Sequence, residues 1–252
     1  MVRTDQYNDT HGDRVRTVSD GWETRLHEQG RFMTMRLFAA VLPPAEAVEE
    51  LDRAVDRLRG LPGADGLRWT GRDGWHFTLA FMGEVEDRLL PDLTERLERA
   101  ARRTEPFPFR IHGGGHFGGR ALWAGAAGGI GDVRLLAERA GAAARRAGVP
   151  MEEHHHYQAH LTLARSRGSR GSRRNAGDAG DAGDAVGVTD STDVDLRLYA
   201  EALSGFEGTP WEVAELVLVH SRLPVSGVPR EQPRYEAVAR MPLGRARPGA
   251  SG

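Results

Sequence analysis

One five-residue pattern occurs twice in this chain and limits what it can fold into. His76-Phe77-Thr78-Leu79-Ala80 returns as His160-Leu161-Thr162-Leu163-Ala164. Both copies are short and apolar, and both read as strands within 75–82 and 158–164. Side chains alternate along a strand, so His76 and Thr78 share one face while Phe77 and Leu79 take the other. The same alternation sets His160 and Thr162 against Leu161 and Leu163. Each strand therefore offers an imidazole and a hydroxyl to one side and an apolar anchor to a core. Two lobes packed with these faces opposed would enclose two histidines and two threonines. A lone His-x-Thr says little, because a single histidine usually serves packing or lies at the surface. Two near-identical copies in corresponding positions are hard to explain by chance.

The surrounding chain supports such lobes. A buried strand at 37–42 ends at Pro43-Pro44. Val48, Leu51, Val55 and Leu58 then recur at helical spacing over 45–61. A further amphipathic helix is predicted at 86–103, an Ala- and Arg-rich helix at 132–147 and a short helix at 196–203. Strands are predicted at 67–69, 107–111, 121–126, 211–220 and 235–241, with a glycine cluster at 113–119 between two of them. This mixed order argues an α+β fold with helices covering sheet faces. Residues 1–34 are polar and aperiodic and read as a disordered extension, with order beginning at Arg36. The stretch 166–193, basic and then GDA-repeated, lacks the large apolar residues that offset ordering entropy, and reads as a flexible insertion. The tail 244–252 is loose by the same criterion, which leaves 35–243 as the folded domain.

Composition removes several chemistries. There is no cysteine, which excludes disulfides, thiolate nucleophiles and cysteine-ligated metals. All 34 basic residues are arginine, so Schiff-base, lysyl-adenylate and P-loop-lysine mechanisms are excluded as well. A net charge of −2 gives no global basic field, and contact with a nucleic acid would need a local basic cleft. No apolar run is long enough to span a bilayer, and the N-terminus lacks a secretory core. A cytoplasmic monomer is the expectation.

Two histidines and two threonines suit the cleavage of a phosphodiester. The reaction needs a base for the nucleophile and an acid for the leaving oxygen, and two imidazoles near pKa ~6.5 can hold opposite protonation states. The hydroxyls can donate to non-bridging phosphate oxygens. With acid and base both supplied by the chain, no metal or other cofactor is required.

The paired His-x-Thr-Leu motifs resemble the two-histidine phosphoesterase superfamily, in particular its LigT/ThpR branch. MRLFAAVLPP (35–44), RWTGRDGWHFTLAFMGEV (68–85), AHLTLAR (159–165) and LVLVHSRL (216–223) with a later Pro233-Arg234-Tyr235 agree with that branch in order. The resemblance covers roughly 35–243. It implies a bilobal, pseudo-symmetric fold, each lobe an antiparallel-rich sheet with covering helices, around a central catalytic cleft. It also implies hydrolysis of an RNA 2′,3′-cyclic phosphate to a 2′-phosphate, with His76 as proton donor, His160 as proton acceptor and Thr78 and Thr162 holding the phosphate. Reversible 2′–5′ joining of RNA ends belongs to the same chemistry. The stretch after Arg165 and the N-terminal extension depart from the pattern.

Position decides how other residues read. Strict alternation turns Arg165 away from His160, but a strand end or bulge would return it to the phosphate, a role the resemblance favours. Phe38, Trp69, Phe81 and Trp123 are aromatic candidates for stacking on a base, with Phe38 and Trp69 the more open and Phe81 pointing to the core. The run His154-His155-His156 has no partner spacing for a metal and reads as a surface loop. His112, His116 and His220 read as structural, and the arginine-bearing helices as solvated faces. Two other readings remain: a phosphodiesterase acting on a small cyclic nucleotide or an ADP-ribose cyclic phosphate, and a catalytically idle RNA-end-binding module.

Overall fold

In order, the elements are β1 (Thr34–Val41), α1 (Ala45–Arg59), β2 (Leu67–Trp69), β3 (Phe77–Glu86), α2 (Leu90–Arg102), β4 (Phe107–Phe117), β5 (Ala121–Gly128), α3 (Ile130–Arg146), β6 (Leu161–Ser166), α4 (Leu196–Leu203), β7 (Trp211–Val213), β8 (Glu215–Arg222) and β9 (Arg234–Pro242). This computed structural model describes residues 33–151, 157–166, 194–224 and 232–245. The expectations for 1–32, 167–193 and 246–252, and for the run His154-His155-His156, lie outside the described residues.

The strands form two antiparallel sheets, ordered β3-β1-β8-β9 and β2-β6-β5-β4-β7. The motif strands β3 and β6 hold matching places. Each pairs with the strand that opens its repeat, β1 or β5, after an intervening helix. The helices are exchanged between the sheets. α3 follows a strand of the second sheet and packs on β3 beside α2, whereas α1 follows a strand of the first sheet and packs with α4 near β4. The apolar faces of both sheets and these helices share one core, in which Phe77 of β3 meets Phe109 of β4 edge-on, with ring centroids 5.0 Å apart. The fold is α+β, as the sequence pattern implies.

Several boundaries differ from the sequence reading, each for a physical reason. Order begins by Thr34, whose hydroxyl donates to Glu84 at 3.1 Å across β1 and β3. The Leu243 end is fastened, because the Gly244 amide donates to the Thr104 carbonyl at 2.7 Å. The glycine cluster does not end β4, which runs through it to Phe117. Gly113 takes a left-handed φ of 62° at a register shift. Gly115 leaves room for an aromatic ring: a Cβ there would lie 2.3 Å from Cζ2 of Trp123. Low strand propensity of glycine is overridden by that packing. Gly115→Ala is expected to displace Trp123 and cost about 1–3 kcal/mol, read as a fall in Tm.

Candidate active site

Both histidines sit one residue ahead of their strands rather than within them. Thr78 pairs across from Ala40, and Ala80 from Ala39, so Leu79 is an extra residue on β3. Thr162 pairs with Trp123, and Ala164 with Leu122, so Leu163 is an extra residue on β6. The two motifs thus carry the same bulge at the same leucine. A bulge shifts the alternation by one residue and re-aims the side chains beyond it. Ala80 and Ala164 turn into the core, and Phe81 and Arg165 turn to the face of the threonines.

This corrects one expectation and settles another in geometry. Phe81 does not enter the core: it is 43% exposed, and the guanidinium carbon of Arg36 lies 4.6 Å from its ring centroid. Arg165 lies on the cleft face, where its charge reaches His160 on its own sheet and Tyr235 on the other. Arg165 is also directly opposite Arg68 of β2. Like charges facing each other across a ladder are unfavourable unless an anion lies between them. Arg36, Arg68 and Arg165 all act on the Tyr235 hydroxyl, and so converge on one local basic cleft despite the acidic chain.

Each imidazole is held by its own surroundings. His76 stacks on Phe38 with centroids 4.5 Å apart and meets Tyr235 edge-on at 5.1 Å. His160 meets Phe117 edge-on at 4.9 Å and lies 6.2 Å from Trp123. Nδ1 of His160 is 2.9 Å from the Gln158 carbonyl oxygen, which can only accept. Nδ1 is therefore the protonated nitrogen, and the neutral ring keeps its lone pair on Nε2. Burial pushes His76 down to about 4, with the charge of His160 adding to the effect. Burial also lowers His160, against the Gln158 hydrogen bond, which raises it. The Thr78 and Thr162 hydroxyls have no protein partner among the described residues.

The depressed His76 has a consequence for stability. An unfolded chain titrates histidine near pH ~6.5, whereas the folded group titrates at about 4. Between those values the unfolded state binds more protons. Stability is therefore expected to be full above pH ~6.5 and to fall as the pH drops toward 4, seen as a declining urea midpoint. His76→Phe should flatten this decline.

Two stacking candidates are placed elsewhere. Trp69 lies on the reverse face of β2 from Arg68: its Nε1–H donates to the Ala64 carbonyl at 3.1 Å, and its ring packs toward Tyr199 and Arg59. Alternation on a three-residue strand leaves it no route to the cleft. Phe38 does face the cleft but is only 3% exposed, covered by His76, and so serves as a support for the imidazole. Among the described residues, no group of three or more His, Asp or Glu is placed to hold a metal, and no helix is long and apolar enough to cross a membrane.

A sequence model of the family described as LigT like Phosphoesterase matches residues 41–123. An RNA 2′,3′-cyclic phosphodiesterase of Thermotoga maritima is 30% identical over 97 residues, covering 36% of this chain and 50% of that protein. One of the same name from Aeropyrum pernix is 32% identical over 101 residues, covering 38% and 56%. Among solved structures, E. coli LigT complexed with 3′-AMP superimposes with a TM-score of 0.59 at 22% identity, over 84% of this chain and 99% of that one. A Thermus thermophilus protein gives 0.58 at 27% identity, over 84% and 100%. The chain is thus similar in part of its sequence to LigT-like phosphoesterases and shares the fold of the LigT structures.

The chain spans about half the length of the curated relatives it matches. The family match ends at Trp123 and so contains only the first histidine motif; the second carries the same bulge, and the charge of its His160 acts on His76. Sequence reasoning missed Arg36, Arg68, Phe117 and Tyr235 as parts of the candidate site. Arg36, Arg68 and Tyr235 fall in stretches that carry the resemblance, but only pairing register reveals which way each side chain faces. Phe117 is hidden among glycines that look like a loop.

Proposed function

We propose that the protein hydrolyses the 2′,3′-cyclic phosphate at an RNA end to a 2′-phosphate. The observation that carries this reading is the pair of identically bulged His-x-Thr strands facing one cleft with Arg36, Arg68 and Arg165. Relatives named RNA 2′,3′-cyclic phosphodiesterase support it. The cyclic phosphate seats against Arg165 and Arg68, with the Thr78 and Thr162 hydroxyls donating to its non-bridging oxygens. Nε2 of His160 takes a proton from water, whose oxygen attacks phosphorus. The P–O3′ bond breaks, and His76 delivers a proton to the departing O3′.

A buried neutral His76 is a poor acid until the substrate arrives. An anion within ~4–6 Å favours the charged imidazolium, so the phosphate itself recruits the proton. Free enzyme and complex therefore differ in protonation, and binding at neutral pH takes up a proton. The reaction needs no metal, because acid, base and phosphate donors are all side chains. A cytoplasmic monomer folded over 35–243 is the proposed form.

The test is conversion of a short RNA ending in a 2′,3′-cyclic phosphate, with EDTA present. A 2′-phosphate product supports the reading. A 3′-phosphate product, or none at all while a small cyclic nucleotide is hydrolysed, would overturn it.

A further inference from the structure

On the outer side of the first sheet, α2 and α3 lie against each other, and five arginines line a cavity of about 230 Å³ between them. Arg96, Arg99 and Arg103 come from α2 and its C-cap; Arg139 and Arg146 come from α3. The floor is Ala100 and Ala143, and among the described residues no acidic side chain lines the cavity. Two of the five have carboxylate partners on their own helix, Arg96 with Asp92 at 2.7 Å and Arg99 with Glu95 at 3.5 Å. Arg139 donates to the Arg103 carbonyl at 2.6 Å and to the Thr104 hydroxyl at 2.7 Å, which fixes it in place without neutralising it. Arg103 and Arg146 have no carboxylate partner among the described residues. Helical spacing explains why each helix presents its arginines on one face. It does not explain why the two faces are turned toward each other. Packing them together raises mutual repulsion, which a bound anion relieves.

We infer that this groove binds the phosphate backbone of an RNA strand. From Arg96 to Arg103 it runs seven residues, roughly 10 Å at ~1.5 Å per residue, room for two consecutive phosphates. Guanidinium forks suit phosphate oxygens better than a point charge does. The helices cover the core side of β3, β8 and β9, whereas His76 and Thr78 lie on the cleft side. The groove is therefore separate from the proposed reaction centre and engages a part of the RNA remote from the reacting end. The choice of RNA over another polyanion rests on the proposed function.

The test is fluorescence anisotropy with a labelled RNA of about twenty nucleotides ending in a 2′-phosphate, over a salt series. The variants are Arg103→Gln/Arg146→Gln and the charge reversal Arg103→Glu/Arg146→Glu, with thermal melts to show that they fold. The neutral double variant is expected to raise Kd about tenfold at moderate salt and to reduce the log–log salt slope by about 1–1.5, the change for two lost phosphate contacts on a single strand. The reversal should weaken binding further. Turnover of a dinucleotide 2′,3′-cyclic phosphate, too short to reach the groove, should not change. Unchanged Kd and slope in folded variants would overturn the inference. So would arginine-dependent binding of tripolyphosphate without any effect on RNA, which would make the groove a site for free polyphosphate. The binding readout does not need turnover, so an inactive wild type would count against the proposed reaction and leave the groove to be judged by its own titration.

Discussion

His76→Ala and His160→Ala are each expected to lower kcat on a 2′,3′-cyclic phosphate by about 10²–10⁴-fold, the range for loss of one positioned proton-transfer group. The two losses should differ in pH response. Without His160, hydroxide can partly replace the base, so residual activity should climb at alkaline pH. Without His76 the leaving O3′ departs unprotonated, and a rising pH gives no such relief. Both rings lie on the cleft side of their sheets, outside the main apolar core, so folding should survive. The double variant should be little worse than the weaker single one, since groups acting as a unit are not additive. Steady-state rates across pH 5–9 check all three points. Near-full activity in either folded single variant would contradict the acid–base pairing.

The largest stability effect is expected one residue along from His76. Phe77 is fully buried and meets Phe109, so it joins the apolar faces of the two sheets. Phe77→Ala removes this contact and leaves a cavity that two stiff sheets cannot close. The expected cost is about 3–5 kcal/mol, a large share of the ~5–15 kcal/mol that holds a typical domain together. For a domain of this size it corresponds to a fall in Tm of roughly 10 °C. Thr78→Ala, the next residue on the opposite face, is expected to do the reverse. Its hydroxyl bonds to nothing in the protein among the described residues, so Tm should hold while turnover falls. Calorimetry and kinetics on the pair separate the two faces of one strand. Equal destabilisation by both substitutions would contradict the placement of Thr78 on the cleft.

The repeated motif makes much of this legible in advance. His-x-Thr with leucine next to it announces a strand with a polar and an apolar face, and its recurrence announces two of them. Helix 196–203 is legible to the residue, because Leu196, Tyr199 and Leu203 mark a buried stripe with Asp195 accepting from the Arg197 amide at its start. The residues just past each motif are not legible in that way. A period of two holds only while pairing is regular, and the bulges at Leu79 and Leu163 have no local signature in an apolar run. They send Phe81 and Arg165 to the face that counting denies them. Trp69 fails for the opposite reason: alternation operates there, but its starting face depends on the neighbour β6, which arrives almost a hundred positions later in the chain. Glycines 113–115 look like a loop until the partner ring of Trp123 is in view.

The most direct measurement is the imidazole ¹⁵N spectrum of the protein, titrated with pH in the absence and presence of a nucleoside 2′-phosphate, with His76→Ala and His160→Ala for assignment. In the free protein, His76 should stay neutral down to about pH 4 and His160 should carry its proton on Nδ1. With the 2′-phosphate bound at pH 7, the His76 resonances should move to those of an imidazolium. Two imidazoles titrating near pH ~6.5 and indifferent to the ligand would contradict an acid and a base working across one phosphate.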